Sequence, residues 1–421
     1  MPSAGISRAP SLTAGFHQVW SSVVVSSLGD GLRLVALPLL AARLTCDPRS
    51  IAAVTLAGQL PWLLFGLQAG ALADRIDRRR ILWTVDVARA LVVGLLAVAV
   101  AAHAGSIPLL AAVAFVLGCG QTLFGGAFSS VVPVLVEPAA RPRANGRLQA
   151  GALISNTLLG TPLGAVLFAV TAALPFAVDC VSFALSAALL LPLRGDFRPA
   201  PAGGKPATLR RDAVEGVRWL WRHWVLRRLC LVAGIGNFVG AAVIAVLVLF
   251  AERSLHLDAM GFALLLSSSA VGGVAGATLA PRVFTRLGPG PLLRLTMAGG
   301  ALCVALLGAA TSAAVAGVAV VGYGAASVAW NVTAVSQRQE LVPTALMGRV
   351  SMAYQMATGG AAALGAAASG LTAHAFGLRT PFFACGLLLV AACLLSPRPV
   401  RAQDECAGPN PAPAAADGSR G

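Results

Sequence analysis

Charge is scarce in this 421-residue chain: only 11 % of its residues are Asp, Glu, Lys or Arg, against about a quarter in a soluble domain. So few polar groups cannot cover a water-facing exterior, and a soluble globular protein is excluded. There is one lysine, Lys205, and it precedes a proline. That excludes the G-x-x-x-x-G-K-[ST] phosphate loop of a nucleotide-driven pump. The eight cysteines (Cys46, Cys119, Cys180, Cys230, Cys303, Cys385, Cys393 and Cys406) form no C-x-x-C pair. Most fall in apolar runs, so they read as buried thiols without a metal or redox role. Paired acids facing a cleft, as a membrane-embedded transferase would need, are missing. The pair Asp74 and Asp77 has no second acidic cluster with which to hold a metal diphosphate. A single Arg8 precedes a long apolar run without a clean cleavage site, so no removable signal peptide is expected.

What is present is apolar length. The chain is 57 % hydrophobic with a mean hydropathy of +0.81. Twelve runs are long enough to cross a bilayer as helices. They lie near 17–42, 50–73, 81–103, 107–135, 148–171, 174–193, 229–251, 259–280, 290–311, 313–337, 349–373 and 378–396. Lipid offers the backbone no hydrogen bonds, so each run must be helical. Pro38, Pro61, Pro133 and Pro162 fall inside spans, where neighbouring helices can satisfy the freed carbonyls.

The cations set an orientation. Twenty-five of the 31 basic residues fall in the even-numbered loops, the central loop and the two tails. Cytoplasmic loops keep Lys and Arg. Both termini and residues 194–228 are therefore expected in the cytoplasm, with the chain in the cell's inner membrane. This placement also argues against a nucleic-acid partner, despite the net charge of +15.

The spacing divides the chain into a tail (1–16), a six-helix half (17–193), a linker (194–228), a second six-helix half (229–396) and a disordered tail (397–421). The linker begins rich in Pro and Gly and ends in "DAVEGVRWLWRHWVLRRL", which reads as a basic, tryptophan-rich helix at the lipid surface. A faint repeat relates the halves. Gly29-Asp30 recurs as Gly236-Asn237 at an offset of 207, Gly70 as Gly276 at 206, and Gly146-Arg147 as Gly348-Arg349 at 202. Such repeats occur in transporters whose site lies between the halves.

The hairpin "GALADRIDRRR" resembles the helix 2–3 signature of the major facilitator superfamily, G-x-x-x-D-R-x-G-R-R. Gly70, Asp74, Arg75, Arg78 and Arg79 match, and Asp77 replaces the usual glycine. "LGDGLRLVALPLLA", "GGAFSSVVPVLV" and "RANGRLQA" resemble the enterobactin exporter and macrolide efflux branch. Gly160, Pro162 and Gly164 resemble the helix-five motif of antiporters, interrupted by Thr161. The arginine usual in helix four is missing, with Gln121 the nearest polar residue. The resemblance implies an all-α membrane protein of twelve helices in two halves, working by alternating access without a cofactor. It implies proton-driven efflux, with import or uniport on the same fold as the alternative, and an Asp74 that gates against a helix end of the other half.

Ionisable residues inside a membrane are functional candidates by default. Asp30 lies about midway along the first span with Arg33 one turn on, and Asp179 lies in the sixth; these are the proton-coupling candidates. Asp86 and Arg89, three residues apart near the inner end of the third span, read as a self-neutralised pair. Polar groups that could face a cavity are Gln59, Gln121, Asn156, Asn237, Asn331, Tyr354 and Gln355, with Phe124 and Trp330 as apolar walls. With so few cations inside, the expected partner is a neutral or cationic amphipathic compound, carried by a single chain among membrane lipids.

Overall fold

In the computed structural model the described residues of the apolar runs are predominantly helical, as a backbone without water requires. The structure describes residues 13–73, 76–128, 131–137, 140–193, 197, 209–342 and 347–395. The amino-terminal half holds α1 (Ala14–Leu44), α2 (Pro48–Ala73), α3 (Arg78–Ala101), α4 (Ile107–Phe128), the short α5 (Val132–Leu135), α6 (Arg141–Leu153), α7 (Thr161–Val170) and α8 (Leu174–Leu190). A π-helical turn, Ile154–Gly160, joins α6 to α7, so residues 141–170 form one span. Then comes the linker helix α9 (Leu209–Arg222). The second half holds α10 (Trp224–Ser254), α11 (Ala259–Leu287), α12 (Pro289–Ala309), α13 (Ala313–Leu341), α14 (Met347–Phe376) and α15 (Thr380–Leu395). No strand occurs among the described residues.

Eight of these spans are long and apolar enough to cross a membrane by length and composition alone. The shorter apolar helices α8 and α15, with α2 and α14, bring the number to twelve. Pro38 and Pro61 are held inside α1 and α2. The fourth span differs from the expected 107–135: α4 ends at Phe128 and α5 is a separate turn around Pro133. Proline has no N–H to continue the ladder. The seventh span begins at Trp224 rather than near 229, because His223 (φ −89°, ψ 109°) leaves helical geometry and parts α9 from α10.

The hairpin between α2 and α3 is described in part; Asp74 and Arg75 lie outside the described residues. Asp77 caps α3, its carboxylate accepting from the Arg79 N–H at 3.0 Å. The Arg79 guanidinium donates to the Leu191 carbonyl just past α8. Arg78 donates its backbone N–H to Phe197 O at 3.4 Å. Linker helix α9 packs by Leu220 against α14 and the end of α13, in a cluster with Leu226, Val342, Val350 and Ala353. Trp221 and Trp224 stay exposed.

The two halves meet unevenly. At the end opposite the linker, one apolar core runs through both, including Val35, Leu40 and Ile51 with Val246, Phe250 and Phe262. A second shared cluster joins Ala52 of α2, Ala241 and Ala245 of α10, and Ala362 and Ala366 of α14. At the linker end the clusters are separate: Val19, Leu82 and Leu190 in one half, Leu220, Leu226 and Val350 in the other. Among the described residues, then, the halves are sealed together at the far end. That end also carries a polar contact between them, His374 Nδ1 to Asp47 Oδ1 at 3.3 Å, which is an ion pair when the imidazole is protonated. Slight burial works against the charge of Asp47, but hydrogen bonds from Arg49 and Ser50 outweigh it and hold the carboxyl below the usual carboxylate range.

Candidate functional site

Three helices of the first half turn their few polar side chains toward one another. On α1, Ser22, Ser26, Gly29 and Arg33 recur at intervals of three or four and so share a face. On α8 the same spacing gives Asp179, Ser182 and Ser186; α3 supplies Asp86 and Arg89. Gly29 lets α8 come close. A Cβ there would lie 2.2 Å from Asp179 Oδ1 and 2.0 Å from Ser182 Oγ, so only hydrogen leaves room for the aspartate.

Arg33 bridges two carboxylates. Its Nη2 donates to Asp30 Oδ1, one turn back, and its Nε donates to Asp179 Oδ2 at 3.0 Å. Asp179 is wholly buried and also accepts from Ser182 Oγ at 3.3 Å. Asp30 keeps 22 % of its side chain exposed. Asp86 and Arg89 lie 3.6 Å apart and both are buried, but they are not a self-contained pair. Ser186 Oγ donates to Asp86 Oδ2 at 2.6 Å and meets Ser22 Oγ at 2.7 Å. Arg89 Nη2 donates to Gln121 Oε1 at 2.8 Å, and its guanidinium lies over Phe124 and Phe183. A cation of α3 thus reaches Gln121 on α4. Placing ionisable groups inside a bundle is costly unless they are paired, and here two arginines are set among three carboxylates, with Asp86, Arg89 and Asp179 buried and Asp30 and Arg33 partly exposed.

The antiporter-like segment is the surface on which α1 docks. A Cβ on Gly31 would stand 2.0 Å from the Asn156 carbonyl oxygen, one on Gly160 2.8 Å from Gly31 Cα, and one on Gly164 2.7 Å from Leu32 O. The π turn ends just before Pro162, which cannot donate to the carbonyl four residues back. Such turns often mark functional segments. Thr161, which breaks the motif in sequence, bonds through its hydroxyl to Ser267 of α11, across the two halves. Gly31→Ala should therefore cost about 3 kcal/mol, the upper end for overpacking, because backbone and not a flexible side chain blocks the new methyl. Gly236→Ala, with nothing within 4 Å of the added carbon, is the control. Equal melting temperatures of the two variants in detergent would refute the close approach.

The remaining cavity candidates are scattered. Gln121, Asn237, Asn331 and Gln355 are exposed on their helices, and Gln59, Asn156 and Tyr354 are half-buried. Asn237 Nδ2 donates to Ala233 O on its own helix at 2.9 Å. Tyr354 lies under the Arg338 guanidinium at 4.5 Å. Phe124 stacks on Phe128, and Trp330 is buried in the shared core. No side-chain hydrogen bond joins these polar candidates across the halves among the described residues. A cleft of about 180 Å³ lies between the halves at the far end, lined by Arg43, Phe168, Glu252 and Asp258 among others. It is smaller than the roughly 300–1,000 Å³ of ligand pockets and belongs to the seam.

Sequence reading missed Ser22, Ser182, Ser186 and the role of Thr161. The intervals of Asp179, Ser182 and Ser186 were the available signal.

Comparison with solved structures agrees with the architecture. The nucleoside transporter NupG superposes with a TM-score of 0.71 at 13 % identity, over 91 % of this chain and 98 % of that one. A bacterial homologue of the iron transporter ferroportin, in an inward-facing state, gives 0.71 at 16 %, over 92 % and 100 %. At such identities the likeness shows the fold alone. The uncharacterized MFS-type transporter YfiS of Bacillus subtilis (strain 168) is 27 % identical over 399 residues, 91 % of this chain and 92 % of the relative. A family described as transmembrane secretion effectors matches residues 6–413, nearly the whole sequence. The chain belongs to that family of major facilitator (MFS) membrane transporters.

Proposed function

We propose that the protein is a secondary active exporter that exchanges protons for a small hydrophobic or amphipathic compound. The observation that carries this reading is the bridge at Arg33, where one guanidinium serves two carboxylates on apolar spans α1 and α8. With both carboxylates ionised the triad bears one net negative charge. A proton on Asp30, the partly exposed member, neutralises it and frees one arm of Arg33. A proton and a cationic or polarised substrate group therefore compete for the same charge, which links their binding. Alternating access then needs the far-end seam to open and the linker end to close. The efflux direction rests on the resemblance of "LGDGLRLVALPLLA" and "RANGRLQA" to enterobactin and macrolide exporters.

The test is accumulation of a compound panel in cells with and without the protein, each with and without an uncoupler. Lower accumulation that the uncoupler abolishes supports proton-driven export. Higher accumulation of any compound would indicate import.

The distribution of arginines supports a topology with the linker end and both tails in the cytoplasm and the chain in the cell's inner membrane. Single cysteines introduced in 194–208, in a cysteine-free background, should escape an impermeant thiol reagent added from outside. Labelling there as strong as at residues 310–312 would reverse the orientation.

A further inference from the structure

The five charged groups of this cluster do not balance. Among the described residues, Asp30, Asp86 and Asp179 face Arg33 and Arg89, so full ionisation leaves one excess negative charge in the cluster. Asp30 lies within electrostatic range of Asp86, and Arg89 within range of Asp30, Arg33 and Asp179. Together these form one cluster, which a single bound proton would neutralise.

The hydrogen bonds differ among the three carboxylates. Asp179 has Oδ2 served directly by Arg33 Nε at 3.0 Å, and Ser182 Oγ, which donates to the Asp179 backbone carbonyl at 2.8 Å, also lies 3.3 Å from Oδ1. Asp30 is held by Arg33 and reaches water. Asp86 is wholly buried, and its Oδ1 has no hydrogen-bond partner. Its nearest cation, Arg89 Nη1, stands 3.6 Å away, beyond hydrogen-bond reach. Arg89 itself is held elsewhere, by Gln121 and the faces of Phe124 and Phe183. A buried carboxylate with one oxygen unpartnered and no cation within hydrogen-bond reach is the costliest of the three to keep ionised.

We propose that Asp86 is a second proton-binding site, which holds the cluster's proton in this conformation. The proton sits on Oδ2 and is donated to Ser186 Oγ, 2.6 Å away; the Ser186 hydroxyl then turns to donate to Ser22 Oγ at 2.7 Å. When Asp86 ionises, the same chain reverses, with Ser22 donating to Ser186 and Ser186 to the carboxylate. Both protonation states keep the two serine contacts. Among the described residues, α1 brings Ser22 and Asp30 into range of Asp86, α8 brings Ser186 and α3 brings Arg89; Arg33 and Asp179 act on Arg89, and α4 touches Arg89 through Gln121 and Phe124. A cluster that holds one proton sets uptake at Asp30 against retention at Asp86. This deepens the proton-exchange reading, on which that last step rests.

The test is infrared difference spectroscopy of the purified protein in lipid at neutral pH, reading the stretch of a protonated carboxyl group. Removing any one of the three carboxylates removes the excess charge, so Asp→Asn variants cannot assign the band. Serine variants keep the charge count. Ser186→Ala should shift the band to higher frequency, because a carboxyl group without its acceptor has a stiffer C=O. Ser182→Ala should leave it in place. The absence of a band in the parent protein, a band unmoved by Ser186→Ala, or one moved by Ser182→Ala instead would each overturn the assignment. None of these readouts involves transport, so failure here leaves exchange at Asp30 standing. A failed accumulation assay, in turn, leaves the band to be read.

Discussion

Arg33→Met should destabilise the folded protein by about 3–5 kcal/mol, the usual cost of removing one partner from a buried ion pair. Methionine keeps the apolar stem and fills much the same space, so packing on α1 is largely conserved. What disappears is the only cation among the described residues that touches Asp179. That carboxylate is wholly buried, and beyond Arg33 its side chain has only Ser182 Oγ at 3.3 Å. An isolated buried anion is far more costly than the pair it came from. Adding Asp179→Asn should recover much of the loss, since the amide removes the uncompensated charge while keeping the shape. The double variant should then be more stable than Arg33→Met alone, with a coupling of about 0.5–3 kcal/mol. Thermal unfolding of the parent, the two single variants and the double variant in one detergent measures this directly. Melting of Arg33→Met at the parental temperature would show that the bridge contributes nothing to the fold.

The architecture was legible because the membrane leaves few choices. An apolar run of about 20 residues has one way to satisfy its backbone, and arginines sort by side. Boundaries were less legible. His223 looks like one more basic residue in a helix, yet its extended backbone parts α9 from α10. Asp77 looked like a damaged motif glycine, although an aspartate just before a helical run is a common cap, and it caps α3. The site was half legible. Asp30, Arg33 and Asp179 stand out because charge in a span is rare. Serine in an apolar helix does not stand out, since it can bond back to its own helix, as Ser268 and Ser269 do. Ser186 gains meaning only when α1, α3 and α8 face each other and bring Asp86 and Ser22 to its hydroxyl. Asp47 and His374 are too far apart in sequence for any local pattern to pair them. Trp330 shows the opposite error: an aromatic side chain expected at a cavity wall is buried in the shared core.

Asp30→Asn should abolish accumulation against a gradient while leaving a folded protein. The contrast with Arg33→Met follows from charge. Removing Arg33 strands Asp179, whereas neutralising Asp30 leaves Arg33 paired with Asp179 at 3.0 Å. The asparagine carbonyl can still accept from the guanidinium one turn on, so the geometry of α1 persists and the melting temperature should change little. What the amide cannot do is take up and release a proton. Asp30 alone among the three carboxylates keeps part of its side chain exposed, so it is the one that can exchange with water as the cavity changes sides. A variant fixed in the neutral form should still bind substrate and move it downhill, since neither step needs a proton. In proteoliposomes with an imposed pH gradient, uphill transport should fall to background and downhill exchange should persist. Uphill transport with the parental response to pH would remove Asp30 from the coupling step. Loss of both activities in a folded variant would mean that the Asp30 charge also binds substrate, and a cationic compound should then suffer more than a neutral one of the same size.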